Sequence, residues 1–150
     1  MIMGKKRLLL VLFIFCIGVL VLYCINKPTR EEKVVAFYEE NKQELEAIAL
    51  SQLEGDDSVD TYKDVTVDGV FVNSDFNSIV QFFYSGEGIA PSGKYYGLYY
   101  SPTDTPAAFQ NIDISLEEDN GSWVWNEGNS DNGGVTKRIS EGWYYYEAWF

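Results

Sequence analysis

The sequence predicts an α+β fold: an amphipathic helix and a short helix on one face of a largely antiparallel sheet, preceded by an N-terminal transmembrane helix. Three observations lead there. Leu8 to Ile25 form an uninterrupted apolar run of 18 residues. Apolar residues recur at helical spacing from Val34 to Leu53. The rest of the chain is short apolar runs separated by the tight-turn dipeptides Asp68-Gly69, Asn120-Gly121 and Glu141-Gly142. Such spacing favours antiparallel neighbours.

The apolar run is bounded by Lys5, Lys6 and Arg7 on one side and by Asn26, Lys27 and Pro28 on the other. As a helix it spans about 27 Å, close to the roughly 30 Å of a bilayer's hydrocarbon core. A cleaved signal peptide needs a shorter apolar core and small residues at the cut, and no small-x-small pattern lies between Gly18 and Ala36. A lipoprotein signal needs a small residue before its cysteine, but Tyr23 precedes Cys24 and Phe15 precedes Cys16. The reading is an uncleaved anchor, residues 1–26, that holds residues 27–150 at the cell membrane. The basic tip orients this domain outwards.

After the anchor, Thr29 and Glu32 form a capping-box pattern. Val34, Phe37, Tyr38, Leu45, Ile48, Ala49 and Leu53 follow on one stripe, and Gly55-Asp56-Asp57 stops the helix. The stripe reads as packing on a sheet, because its opposite face is acidic and membrane-surface helices favour Lys and Arg. Asp68-Gly69 predicts a two-residue turn, with Val67 opposite Val70 and Val65 opposite Val72. In Asp75–Tyr84, Phe76, Ile79, Val80 and Phe83 recur at helical spacing behind a capping Ser74 or Asp75. This predicts the short helix, with a strand as the alternative. Ser85–Gly93 reads as a glycine-rich connection, Tyr95–Tyr100 as a strand and Ser101–Pro106 as a loop. Ile112–Leu116 alternates like a strand, and Asn120-Gly121 turns into Trp123–Trp125. After a polar loop, Asn126–Gly134, the segments Val135–Ile139 and Trp143–Phe150 pair across Glu141-Gly142.

Residues 27–150 carry 8 basic and 23 acidic side chains, a net charge of −15, with all 4 Trp and 10 of the 11 Tyr. That aromatic content marks a folded acidic domain rather than a disordered tail. The field repels phosphates, which excludes nucleic acid. There is no histidine, and the only cysteines, Cys16 and Cys24, lie in the apolar run. Histidine-based catalysis, zinc sites and a disulfide framework are thereby excluded. The loop from Glu127 through Asn129 and Asp131 to Gly133 alternates oxygen-bearing and small residues as calcium loops do. It lacks their Asp-x-Asp-x-Asp-Gly run and distant bidentate Glu, so it reads as a polar turn. No metal, cofactor or enzymatic activity is expected. The acidic runs Asp56-Asp57 and Glu117-Glu118-Asp119 read as solvated charge, and a hydrolase using paired carboxylates is kept only as an alternative.

The last strand carries the candidate binding site. Alternation puts Tyr144, Tyr146, Ala148 and Phe150 on one face and Trp143, Tyr145, Glu147 and Trp149 on the other. Glu147 marks the second face as the solvent side, since an unpaired buried carboxylate is expensive. Trp143, Tyr145 and Trp149 then form an exposed aromatic patch of the kind that marks binding, with Glu147 able to pair a partner's Lys or Arg. The other arrangement covers both faces and leaves Glu147 at an edge.

The anchor, the helix ENKQELEAIA, the Asp-Gly hairpin, YYSPTDTP, NSDNGG and the ending WYYYEAWF together resemble small single-anchor proteins of Gram-positive bacteria. Some of these look like immunity proteins encoded beside secreted toxins. The resemblance implies a binding role and carries no functional residues across. The combined expectation is a membrane-anchored, outward-facing domain that binds a basic protein, in its specific form an immunity-type inhibitor of a toxin. The alternative is a cell-envelope domain that binds carbohydrate through its aromatics.

Overall fold

The computed structural model describes residue 4 and residues 9–10, 12–17, 27–89 and 92–150. From residue 27 the elements are α1 (Arg30–Leu53), β1 (Thr61–Tyr62), β2 (Val65–Val72), β3 (Ser78–Ile89) and β4 (Ser92–Tyr100). A 3₁₀ turn (Phe109–Asn111), β5 (Glu117–Asp119), β6 (Ser122–Asn126), β7 (Gly133–Ser140) and β8 (Trp143–Trp149) follow. The eight strands form one antiparallel sheet in the order β1-β2-β3-β4-β8-β7-β6-β5. It is two meanders joined along β4 and β8, so the connection from β4 must travel from the middle of the sheet to its far edge. Both edges are protected from further pairing. β1 has two residues, and β5 is the acidic triplet Glu117–Asp119.

Each face of the sheet has its own cover. α1 starts in a capping box: the Thr29 hydroxyl accepts from the Glu32 N–H at 3.1 Å, and the Thr29 N–H donates to the Glu32 carboxylate at 2.7 Å. Its Val34, Phe37, Tyr38, Leu45 and Ala49 pack on Val65, Val80, Phe82, Tyr96, Leu98, Trp143 and Tyr145. Two polar side chains also lie in its buried stripe. The Asn41 amide donates to the Phe37 carbonyl and accepts from Tyr62 and Lys63. The opposite face is covered by the irregular segment from Ser101 to Leu116. Ala107, Ala108, Phe109, Ile114 and Leu116 of that strap pack on Ile79, Tyr99, Tyr144, Tyr146, Trp125 and Ala148. A buried hydroxyl relay fastens it: Ala107 N–H donates to the Tyr99 hydroxyl (2.8 Å), Tyr99 to Thr136 (2.8 Å), and Thr136 to the Tyr145 carbonyl (2.9 Å).

Five expectations are corrected. Residues 12–17 are helical and exposed. Among the described residues no helix is long and apolar enough to cross a membrane. The transmembrane helix over residues 1–26, its contact with a lipid bilayer and the outward placement of the domain are not supported. Most of the run Leu8–Ile25 lies outside the described residues.

The second helix is absent, because Asp75–Tyr84 is a tight loop followed by β3. Ile79 and Gln81 face the strap while Val80 and Phe82 face α1. A strand buried on both faces shows no alternation, and its apolar residues mimic a helical period.

Asp68-Gly69 makes no hairpin turn. β2 runs through it and takes up the mismatch as a bulge, with Gly69 at φ +106, so Val67 pairs Phe82 and Val70 pairs Val80. Six register pairs with β3 outweigh a local turn that would have paired only Val65–Val67 with Val70–Val72. Finally, Ile112–Leu116 is strap rather than strand. Its Ile114 and Leu116 point down on Trp125 and Ala148, which accounts for the alternation. Ser85–Gly93 is ladder rather than connection as far as its residues are described.

A second clip holds the strap's start. Arg138 grips the Asp104 carboxylate with Nε at 3.0 Å and Nη2 at 2.5 Å, and the Gly142 N–H donates to it at 2.8 Å. The Arg138 hydrogen bond, then the Gly142 amide, hold the Asp104 carboxyl down at about 2 against an ordinary 3.8. A depressed carboxyl stabilises the fold above its unfolded value and loses that contribution as pH falls through its folded one. The stability difference between the wild type and Asp104→Asn is therefore expected to shrink between pH 3.8 and about 2. Urea titrations across that range read it, and a constant difference would remove the clip from the acid response.

Candidate functional site

The structure splits the four residues expected to form an open aromatic face. Trp143 is 3 % and Tyr145 2 % exposed, both under α1. The Trp143 ring lies 5.2 Å from Tyr38, 5.3 Å from Tyr100 and 5.8 Å from Phe82. Burial, then the nearby Glu147 carboxylate, push the Tyr145 phenol well above its ordinary pKa. Glu147 and Trp149 lie half-buried past the start of the helix. Glu147 accepts from Lys94 at 2.7 Å, and the same ammonium sits 5.9 Å from the Trp149 ring centre. The cation expected from a partner is thus supplied by the chain itself. The face is open only at its Glu147–Trp149 end, because α1 must bury its own stripe and this half of the sheet is where it does so. Trp143 and Tyr145 are core, not contact residues.

The most exposed large apolar side chain of the folded domain is elsewhere. Phe76, in the β2–β3 loop, is 88 % exposed and has φ +62. A left-handed backbone costs a side-chain-bearing residue about 1–2 kcal/mol and is ordinarily given to Gly or Asn. The loop enforces it. Phe76 N–H donates to the Asn73 carbonyl (3.1 Å), and the Asn73 side-chain oxygen accepts from the N–H groups of Asp75 (3.1 Å) and Asn77 (2.9 Å). The strap holds the loop from outside. Asp113 accepts from the Ser74 N–H (3.1 Å) and hydroxyl (2.9 Å), and the Asn111 amide donates to the carbonyls of Asn77 (2.8 Å) and Phe71 (3.1 Å). Val72 and Ile112, also exposed, lie at this corner, as do the carboxylates of Asp75 and Asp113. Sequence periodicity placed Phe76 on the buried side of a helix. The turn-rich string Asn73-Ser-Asp-Phe-Asn77 was the available signal.

A cleft of about 560 Å³ opens between the 3₁₀ turn in the middle of the strap, the loop after β6 and the end of β8. Tyr95, Phe109 and Phe150 form its apolar wall, with Gln110, Asp131 and Asn132 among the polar residues around it. Glu127, Asn129 and Asp131 do not converge on a cation. The Glu127 carboxylate accepts from Ser130 (3.1 Å) and Asn132 (2.7 Å) instead, closing the loop on itself. Among the described residues no three acidic, cysteine or histidine side chains gather as a metal site would require. No family model, curated protein or solved structure matches the chain.

Proposed function

We propose that the chain is a protein-binding domain that docks a basic partner through the Phe76 tip, in its most specific form an immunity-type inhibitor of a toxin. One observation carries the reading: a phenylalanine held in water, in a backbone conformation it disfavours, by a loop built to keep it there. Strained residues persist where the surroundings over-determine them, and they cluster at functional positions. An aromatic on a rigid loop loses little entropy on contact, which suits it as an anchor. Asp75 and Asp113 beside it, and the −15 charge of residues 27–150, match a partner rich in Lys and Arg. The resemblance to immunity-like proteins supports the toxin version, and a toxin gene next to this one would name the partner.

Phe76→Gly separates anchoring from folding. Glycine relieves the left-handed strain and gives up no burial, so the variant is expected to melt higher, by about 0.5–1 kcal/mol of stability. Partner binding is expected to fall by about 2 kcal/mol or more. A photo-crosslinking amino acid at position 76 should label one basic protein in cells, less as salt rises. The reading fails if that position labels nothing beyond what the same crosslinker at Glu54 labels, or if the partner holds Phe76→Gly at full strength.

A further inference from the structure

We propose that the cleft between the Phe109–Asn111 turn, the Glu127–Asn132 loop and the end of β8 binds a neutral saccharide. At about 560 Å³ it falls within the range of small-molecule sites. Its wall is aromatic. The ring centres of Tyr95, Phe109 and Phe150 lie 5.8, 5.7 and 5.5 Å apart, in edge-to-face and tilted pairs. Rings this close touch one another, so they form a continuous apolar wall rather than a cage around a cation. Such a wall suits the C–H face of a sugar ring. Phe150 is fixed there by paired backbone bonds with Gly93, both 3.0 Å.

The polar groups match hydroxyls. Gln110 and Asp131 are exposed at the cleft, and their side chains make no hydrogen bond among the described residues. One N–H of the Asn132 amide is committed to Glu127, which leaves the second N–H as a donor and the oxygen as an acceptor. The cleft therefore offers a carboxylate and two amides, Gln110 and Asn132, that can each both donate and accept. A sugar hydroxyl also donates and accepts, so neighbouring hydroxyls can satisfy all of these groups. An ammonium only donates and would leave the Gln110 NH₂ unmatched. An anionic glycan would meet Asp131 and the acidic field of the whole domain.

Gln110 is put in place at a conformational cost. Gln110 and Asn111 both lie in the left-handed region, at φ +53 and +52. A buried side chain holds them so: Gln81 accepts from the Gln110 N–H at 2.9 Å, and its own NH₂ donates to Asp68 at 2.8 Å. The Asn111 amide, bonded to the Phe71 and Asn77 carbonyls, fixes the second residue. The result buries Phe109 against Tyr146 at 5.4 Å and leaves the Gln110 side chain at the cleft.

The test titrates the full chain with short neutral oligosaccharides, of the cello-, malto- and chito- series, and reads NMR shifts and tryptophan fluorescence. Trp125, 6.3 Å from Phe150, is the reporter. At least one series is expected to bind saturably, with shifts at Phe109, Gln110 and Phe150. Gln110→Ala and Asp131→Ala should each weaken it about tenfold, the equivalent of one lost hydrogen bond, with melting temperatures unchanged. Phe76→Gly should leave it untouched, which keeps this result independent of protein docking. The proposal is overturned if none of the series binds saturably, or if binding survives both cleft variants. It is also overturned if oligolysine occupies the cleft in an Asp131-dependent, Gln110-independent way, which makes the site one for cations.

Discussion

Trp143→Ala is expected to destabilise the domain by about 3–5 kcal/mol, the range for truncating a buried tryptophan. Trp143 is the meeting point of three elements. Its ring touches Tyr38 of α1, Phe82 of β3 and Tyr100 of β4, and almost none of it reaches solvent. Removing it leaves a cavity at the junction of helix and sheet that the paired strands cannot close. Domains of this size are stable by roughly 5–15 kcal/mol, so the loss takes a large share of the total. Trp149→Ala, on the same face six residues further along, is expected to cost less than half as much, since that ring is half-exposed beside Lys94. Equilibrium urea unfolding of the two variants gives the comparison. Equal costs, or a Trp143→Ala loss below about 1 kcal/mol, would show that α1 does not seal this face.

The same residue shows where sequence reasoning stopped. The stripe of α1, its capping box and the tight turns at Asn120-Gly121 and Glu141-Gly142 depend on neighbours a few positions away, and a single sequence displays those. The two faces of β8 depend on residues far away in the chain. In the sequence Glu147 marks its whole face as wet, but a carboxylate needs only one solvated end. Here α1 begins beside it and covers only Trp143 and Tyr145. The run Tyr144-Tyr145-Tyr146 was the better signal, because an unbroken apolar run marks a strand covered on both sides. What covers the second face, the strap from Ser101 to Leu116, has no periodicity to find. Its path follows from the strand order, in which β4 and β5 lie four places apart. Phe76 and Gln110 were illegible for a related reason. Their importance lies in a backbone conformation that distant groups enforce, Asp113 for one and Gln81 for the other.

Gly97→Ala is expected to cost about 3 kcal/mol or more, at the top of the range for overpacking and with a single methyl group. Gly97 lies in β4 opposite the β3 bulge between Phe83 and Ser85, and Tyr146 of β8 crosses it. A Cβ there would overlap the Phe82 carbonyl oxygen and the Tyr146 ring. The carbonyl belongs to a paired strand and cannot swing aside. The ring is pinned by Phe109 above it, and its hydroxyl is already buried with no hydrogen-bond partner among the described residues. Relief would need β3 and β4 to part, at the centre of the sheet and beneath both covers. Gly128→Ala is the control, since a Cβ at that position meets nothing within 4 Å. It should be silent within about 0.5 kcal/mol. The consequence reaches both proposed sites, because β3 carries the Phe76 loop at one end and, through Gln81, the Gln110 turn above it. Under mild denaturant Gly97→Ala should therefore lose partner docking and saccharide binding together, while Phe76→Gly loses only the first. If Gly97→Ala proves as stable as Gly128→Ala, the close crossing of Tyr146 over β4 is wrong, and with it the rigid support argued for both sites.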